Sequence, residues 1–137
     1  MFSVAGANWM LDQILGTGSP VHWYVGLVFS EPSEVSTGST VNEPTAASYS
    51  RVAISNNEVM WPAAYDGWKT NADAVTFPEA TEDWGSDRLR YVILTDDSSG
   101  GTLYMWGRIS SVRVREGEQP TFPAGGLVFT PPALETT

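Results

Sequence analysis

The 137-residue sequence predicts an all-β protein, an antiparallel β-sandwich of jelly-roll-like character with about seven to eight strands and a short N-terminal helix. Two observations carry that prediction. Short apolar runs recur along the chain with Gly, Pro, Asp and Ser clusters between them, the spacing of an antiparallel all-β fold. Only the first sixteen residues carry a helical period. At this length a single core buries roughly two-thirds of the unfolded surface. No disulfide or thiolate site contributes, because the chain has no cysteine. The organisation is therefore one domain over residues 1–137: a helical segment 1–18, a sandwich 19–130 and a tail 131–137.

Each element has a local reason. Ala7, Leu11, Ile14 and Leu15 fall at i, i+4, i+7 and i+8, one apolar stripe, and Gly16 is a natural residue to end the helix. Trp9 beside Met10 makes this helix more apolar than solvation requires. It is expected to lie over the open end of the sandwich, docking on another subunit being the alternative. Val21–Phe29 is the strongest strand, apolar on both faces and so central. Residues 31–48 read as a loop with Pro32, Gly38 and Pro44, and a loop that long inside a compact domain serves function or moves. A strand over Tyr49–Ile54 follows. Residues 55–72 are irregular but loaded with Met60-Trp61-Pro62 and Tyr65-Asp66-Gly67-Trp68, expected to be partly buried in a contact between subunits. Strands are then expected at Ala74–Phe77, Leu89–Thr95, Thr102–Ile109, Val112–Arg115 and Gly126–Thr130. Pro78 removes a ladder donor and stops the first of these. Asp96-Asp97-Ser98-Ser99-Gly100-Gly101 reads as a hairpin turn.

Charge excludes some functions. The net charge is −9, which argues against nucleic acid as a direct partner. No apolar run approaches the roughly 20 residues that span a bilayer, and the N-terminus lacks the positive charge of a secretory leader. The chain is expected to be soluble and made in the cytoplasm. The charge is uneven: residues 1–87 hold eleven acids and two bases, residues 88–118 four acids and five bases. Those bases are Arg88, Arg90, Arg108, Arg113 and Arg115. They form either an ordinary set of strand arginines or a positive face that meets an acidic neighbour.

Catalytic patterns are weak. The closest carboxylates, Glu79, Glu82 and Asp83 and then Asp96-Asp97, sit in expected turns where solvated acids are common. Asp96-Asp97-Ser98-Ser99 lacks the ligand alternation of a calcium loop, and an Asx-type turn explains it better. No Gly-x-Ser-x-Gly elbow occurs, and His22 alone could serve as a base. No catalytic residue, metal ligand or cofactor is assigned. Aromatics are the remaining unusual feature, at 12% of the chain. Trp23 and Phe29 fit a core. Trp106 and Arg108, alternating with Tyr104 on one face of a strand taken to be covered on both faces, suit an intersubunit contact, where Trp, Tyr and Arg concentrate binding energy. A sugar platform could use exposed Trp61 or Trp68. The candidate contact residues are Trp9, the loop from Glu31 to Pro44, Trp61, Tyr65, Trp68, Trp106, Arg108, Arg113 and Arg115.

Taken in order, several short pieces resemble a family. They are Asn8-Trp9-Met10-Leu11-Asp12-Gln13-Ile14-Leu15-Gly16, Tyr24-Val25-Gly26-Leu27-Val28, Ser30-Glu31-Pro32 and Tyr49-Ser50-Arg51-Val52. Val75-Thr76-Phe77-Pro78 with Asp83-Trp84-Gly85, the Gly100-Gly101 hairpin and Phe122-Pro123-Ala124-Gly125-Gly126-Leu127 complete the set. The order is similar to that of small tailed-phage virion proteins labelled tail fibre, minor tail or head-decoration proteins, over residues 8–130. The chain departs from the family in its bulkier 56–70 segment and its Arg-rich strands. The resemblance implies a non-enzymatic structural protein on the virion exterior, homo-oligomeric and bound to another virion protein. The leading expectation is a capsid decoration or cement protein on the major capsid protein. The alternatives are a minor tail or tail-fibre-type protein, and a carbohydrate-binding module for host adsorption.

Overall fold

A computed structural model describes residues 3–130. The expected tail 131–137 lies outside the described residues. Helix α1 spans Val4–Ile14, and its N-cap Ser3 accepts the Gly6 N–H on Oγ at 3.1 Å. Ala7 and Leu11 are buried on its inner stripe, as is Leu15 at the C-cap. Gly16 follows with φ +95°, the left-handed residue that ends helices.

Eight strands are described: β1 His22–Val28, β2 Val52–Ser55, β3 Lys69–Thr70, β4 Val75–Thr76, β5 Leu89–Thr95, β6 Leu103–Val112, β7 Thr121–Phe122 and β8 Val128–Phe129. They form a four-stranded sheet in the order β2-β1-β5-β6 and two-stranded pairs β3-β8 and β4-β7. The protein is thus mostly β, with antiparallel pairing and one N-terminal helix. β5 has the expected bounds, and β1 lies one residue inside them at each end. β3 and β7 were not expected: two residues are too short for a period. Val112–Arg115 is not a separate strand, because β6 runs on to Val112.

The chain divides into two compact units. Among the described residues, the first comprises 3–22, 55–75 and 122–130, the second 23–54 and 76–121. In the second, β1 pairs with β5 in the register Val25↔Leu94, Gly26↔Ile93, Leu27↔Val92. Trp23, Val25, Leu27 and Val28 are all buried, so β1 is the central strand its two apolar faces predict. Phe77 is fully buried against Tyr49 and Trp84, with ring centroids 6.4 Å apart in each pair. Pro78 ends β4 but not the pairing. Phe77 N–H donates to Pro120 O, Ala80 N–H to Glu118 O and Trp84 N–H to Val114 O.

β6 departs from the expected alternation. The β5–β6 ladder reads Leu94↔Met105, Ile93↔Trp106, Val92↔Gly107 and Tyr91↔Arg108, then slips between Leu94 and Thr95, which pairs with Leu103. That bulge turns Tyr104 onto the Met105 face, where its ring meets Trp23 edge-on at 4.9 Å. Trp106 and Arg108 alone share the other face. The strand is also not covered on both sides: Tyr104, Arg108 and Ser110 are exposed, and β6 is the last strand of its sheet.

Candidate functional site

The first unit contains a rigid, solvent-facing aromatic pair. Tyr65 and Trp68 exchange backbone hydrogen bonds, each N–H to the other's C=O at 2.9 Å. Asp66 and Gly67 between them have φ +53° and +80°, the two left-handed residues of a tight type I′ turn. Directly opposed residues of such a turn project on the same side. Both rings are open to solvent, Tyr65 at 83% and Trp68 at 56%. The turn is held from α1: Asn8 Oδ1 accepts the Gly67 N–H at 2.7 Å and Asp12 Oδ1 the Ala64 N–H at 2.9 Å. Trp9, next to Asn8, is 65% exposed. Two exposed aromatic rings therefore sit on one turn held from the helix, and a third, Trp9, is exposed on that same helix.

Asp12 does a second job. Its Oδ1 also takes the buried Lys69 ammonium at 2.6 Å. Burial disfavours the charged carboxylate, but the Lys69 hydrogen bond, the Ala64 N–H and the Lys69 charge together hold its pKa below the ordinary carboxylate value. Both residues line a cavity of about 420 Å³ with Leu15, Glu58, Trp61 and Pro62. The Asp12 carboxylate and the Lys69 ammonium are already committed to one another. Side-chain amides brace the rest of this unit: Asn56 Oδ1 takes Gly16 N–H and its Nδ2 donates to Pro20 O, while Asn71 Oδ1 takes Leu127 N–H.

In the second unit the long 31–48 loop is tied down by Arg51. Its guanidinium forks onto Glu43, with Nε at 3.0 Å from Oε2 and Nη2 at 2.6 Å from Oε1. Nη2 also donates to Gly38 O, and Nη1 to Thr95 Oγ1, Asp97 O and Gly100 O, at 2.8–3.1 Å. Tyr49 donates to the same Glu43 at 2.5 Å and accepts Leu27 N–H. Burial disfavours the Arg51 charge, but the Glu43 hydrogen bonds and charge outweigh it and raise its pKa. Burial, then the Glu43 charge, raise the Tyr49 phenol far above its ordinary value. This is a structural clamp: every polar atom in it is engaged. The 96–101 turn behaves as an Asx-type turn, with Asp97 Oδ1 facing Ser99 N–H and Asp96 Oδ1 taking Thr102 N–H.

The sequence-predicted contact residues separate into open and closed ones. Trp9, Glu31, Tyr65, Trp68, Arg108 and Arg115 are exposed, and Trp106 and Arg113 are half-buried. Trp61, in the segment expected to be partly buried in a contact between subunits, is fully buried within the chain, edge-on to Phe129 at 5.5 Å, and offers no sugar platform. Pro44 is buried too, drawn in with the clamped loop. The arginines are partly neutralised at home, Arg90 by Asp87 at 3.0 Å and Arg113 by Asp83 at 3.5 Å. No ion pair reaches Arg108 or Arg115 among the described residues. Sequence reasoning missed the Arg51 clamp. The only signal for it was an arginine two residues after Tyr49 in an otherwise neutral strand.

A family model described as podophage GP4 fiber I protein gp80 matches residues 1–130. The chain belongs to that family. No curated protein matches it. A member of the podophage GP4 fiber I family is a structural protein of the phage virion, a fibre component on the exterior of the particle, with no enzymatic role. The geometry agrees with that role in one respect: the polar groups described above hold loops, and on an otherwise acidic surface the rings of Trp9, Tyr65 and Trp68 stay open.

Proposed function

We propose that the chain is a tail-fibre-type component of the virion that assembles with copies of itself and docks on another virion protein. The observation that carries this reading is the aromatic pair Tyr65 and Trp68, exposed in the single chain on a turn held by Asn8 and Asp12, with Trp9 exposed on the same helix. Exposed aromatics on a braced backbone lose little entropy on docking and are the residue types that dominate contact energy. The family description names a fibre, so it favours the tail-fibre reading over decoration of the head, the leading expectation from sequence. Arg108 and Arg115, with no ion-pair partner among the described residues, complement an acidic neighbour.

Immunogold electron microscopy of purified virions with an antibody against this chain tests the assignment. Label confined to the tail, at few copies per particle, is expected. Label scattered over the head at high copy number overturns the tail-fibre reading in favour of decoration. Binding of Trp68→Ala and Tyr65→Ala proteins to depleted particles tests the docking surface, with loss of particle binding and an unchanged thermal transition expected. Direct glycan binding that disappears in Trp68→Ala, with particle assembly intact, would instead assign the aromatic pair to host-sugar recognition.

A further inference from the structure

We infer that the chain self-associates through the edge of β6, antiparallel to the β6 of a second copy, about a two-fold axis at Gly107. This deepens the reading of the chain as self-assembling and rests on it. The four-stranded sheet ends at β6, a ten-residue strand. Proteins blunt exposed edges with short strands, proline, lysine or inward charges. The opposite edge, β2, is short at four residues. β6 has no proline, no lysine and a single charge, Arg108. Arg88 Nη1 approaches Ser111 O at 3.4 Å near its end, but no described side chain bonds the backbone of Met105–Arg108. That stretch is also the regular part of the ladder, between the two slips.

Register follows from chemistry. A two-fold axis perpendicular to the sheet keeps each strand's faces on the same side, so opposed residues must share a face. Centring on Arg108 sets two guanidiniums directly opposite, which is unfavourable. Centring on Trp106 opposes Arg108 with Tyr104, and centring on Met105 opposes Trp106 with Tyr104. The bulge has turned Tyr104 to the other face, so both fail. Centring on Gly107 confines the pairing to Met105–Ile109, short of the bulge, and sets Trp106 of each copy opposite Arg108 of the other, on one face. That gives two cation–π pairs from an exposed arginine and a half-exposed indole. At the centre, a Cβ on Gly107 would meet only Val92 Cγ1, at 4.0 Å.

That open position supplies the test. The chain has no cysteine, so Gly107→Cys introduces its only thiol. Opposed antiparallel residues lie ~4.5–5.5 Å apart at Cα, inside the range a disulfide spans. Oxidised full-length Gly107→Cys is expected to run as a covalent dimer on non-reducing gels, with Ser110→Cys remaining monomeric as the exposed control. Light scattering of the wild type is expected to give twice the chain mass, reverting toward the single-chain mass in Arg108→Glu. A wild type that stays monomeric at all concentrations overturns both the edge and the self-assembling reading. An oligomer whose Gly107→Cys variant crosslinks no better than Ser110→Cys overturns the edge alone.

Discussion

Replacing Arg51 with alanine should remove a large share of the protein's stability. The side chain is 2% exposed and its partner Glu43 is 18% exposed, so both charges sit largely out of water. The substitution leaves the Glu43 carboxylate with only the Tyr49 hydroxyl, and leaves Gly38, Asp97 and Gly100 carbonyls without this donor. Breaking a buried pair by removing one partner costs about 3–5 kcal/mol. The three carbonyls alone, at about 0.5–1.5 kcal/mol per hydrogen bond, account for a similar sum, so the two estimates bracket one loss. Domains of this size are stable by about 5–15 kcal/mol, so the variant should unfold at a much lower denaturant midpoint. Urea titration followed by tryptophan fluorescence measures this, with the slope unchanged. The double variant Arg51→Met/Glu43→Gln should recover part of the loss, since it removes the orphaned charge. The deficit should persist at high salt, because a buried pair is little screened. A loss under about 1 kcal/mol, the range of exposed pairs, would refute the reasoning.

Other consequences follow from the same packing and hydrogen bonds. A Cβ on Gly38 would overlap the Gly100 carbonyl, so Gly38→Ala should cost at least about 1–3 kcal/mol in a denaturant titration. The Tyr49 phenol, raised by burial and Glu43, should stay protonated where ordinary tyrosines ionise near 10. The native state then holds a proton that the unfolded chain releases, so stability should fall as pH rises above about 10, and less steeply in Tyr49→Phe. For Asp12 the sign is opposite: its lowered pKa contributes stability above the ordinary value near 4 that is lost as pH falls through the folded one. Asp12→Asn should therefore flatten the acid limb of a melting-temperature profile. Gly67→Ala, at φ +80°, should destabilise by about 1 kcal/mol by differential scanning calorimetry.

What the sequence made legible was whatever repeats within a few residues. The α1 stripe, the Gly16 stop, β1 and β5 all carry a period or a terminating residue, and they stand where expected. β3 and β7 were invisible because two residues show no alternation. The facing of Tyr104 was misjudged for a related reason: the β6 bulge changes the parity of the strand, and no single residue announces it. Among the candidate contact residues, Trp9, Tyr65 and Trp68 are exposed, while Trp61 and Pro44 are buried. Local composition does not distinguish Trp61 from Trp68, since both stand in the same irregular, aromatic-rich segment.

The physical difference between those two tryptophans lies in the polar side chains around them. In a segment without ladder hydrogen bonds, each buried N–H needs a substitute acceptor. Asn57 takes Met60 N–H on its side chain at 2.9 Å and Trp61 N–H on its backbone, so Trp61 begins inside a braced turn and is drawn into the core. Four residues on, the brace comes from outside: Asn8 and Asp12 hold the backbone of Ala64 and Gly67. That leaves the Tyr65 and Trp68 side chains without an interior to enter. Arg51 applies the same logic to the 31–48 loop, spending one buried cation on three carbonyls and a carboxylate. A protein with few regular elements and no cysteine thus fixes its loops with buried amides, carboxylates and one guanidinium. Rigid loops are what let exposed rings act as preorganised contacts. The consequence is testable in one comparison: Asn8→Ala should weaken particle binding without altering any exposed ring, because it frees the turn that aims Tyr65 and Trp68.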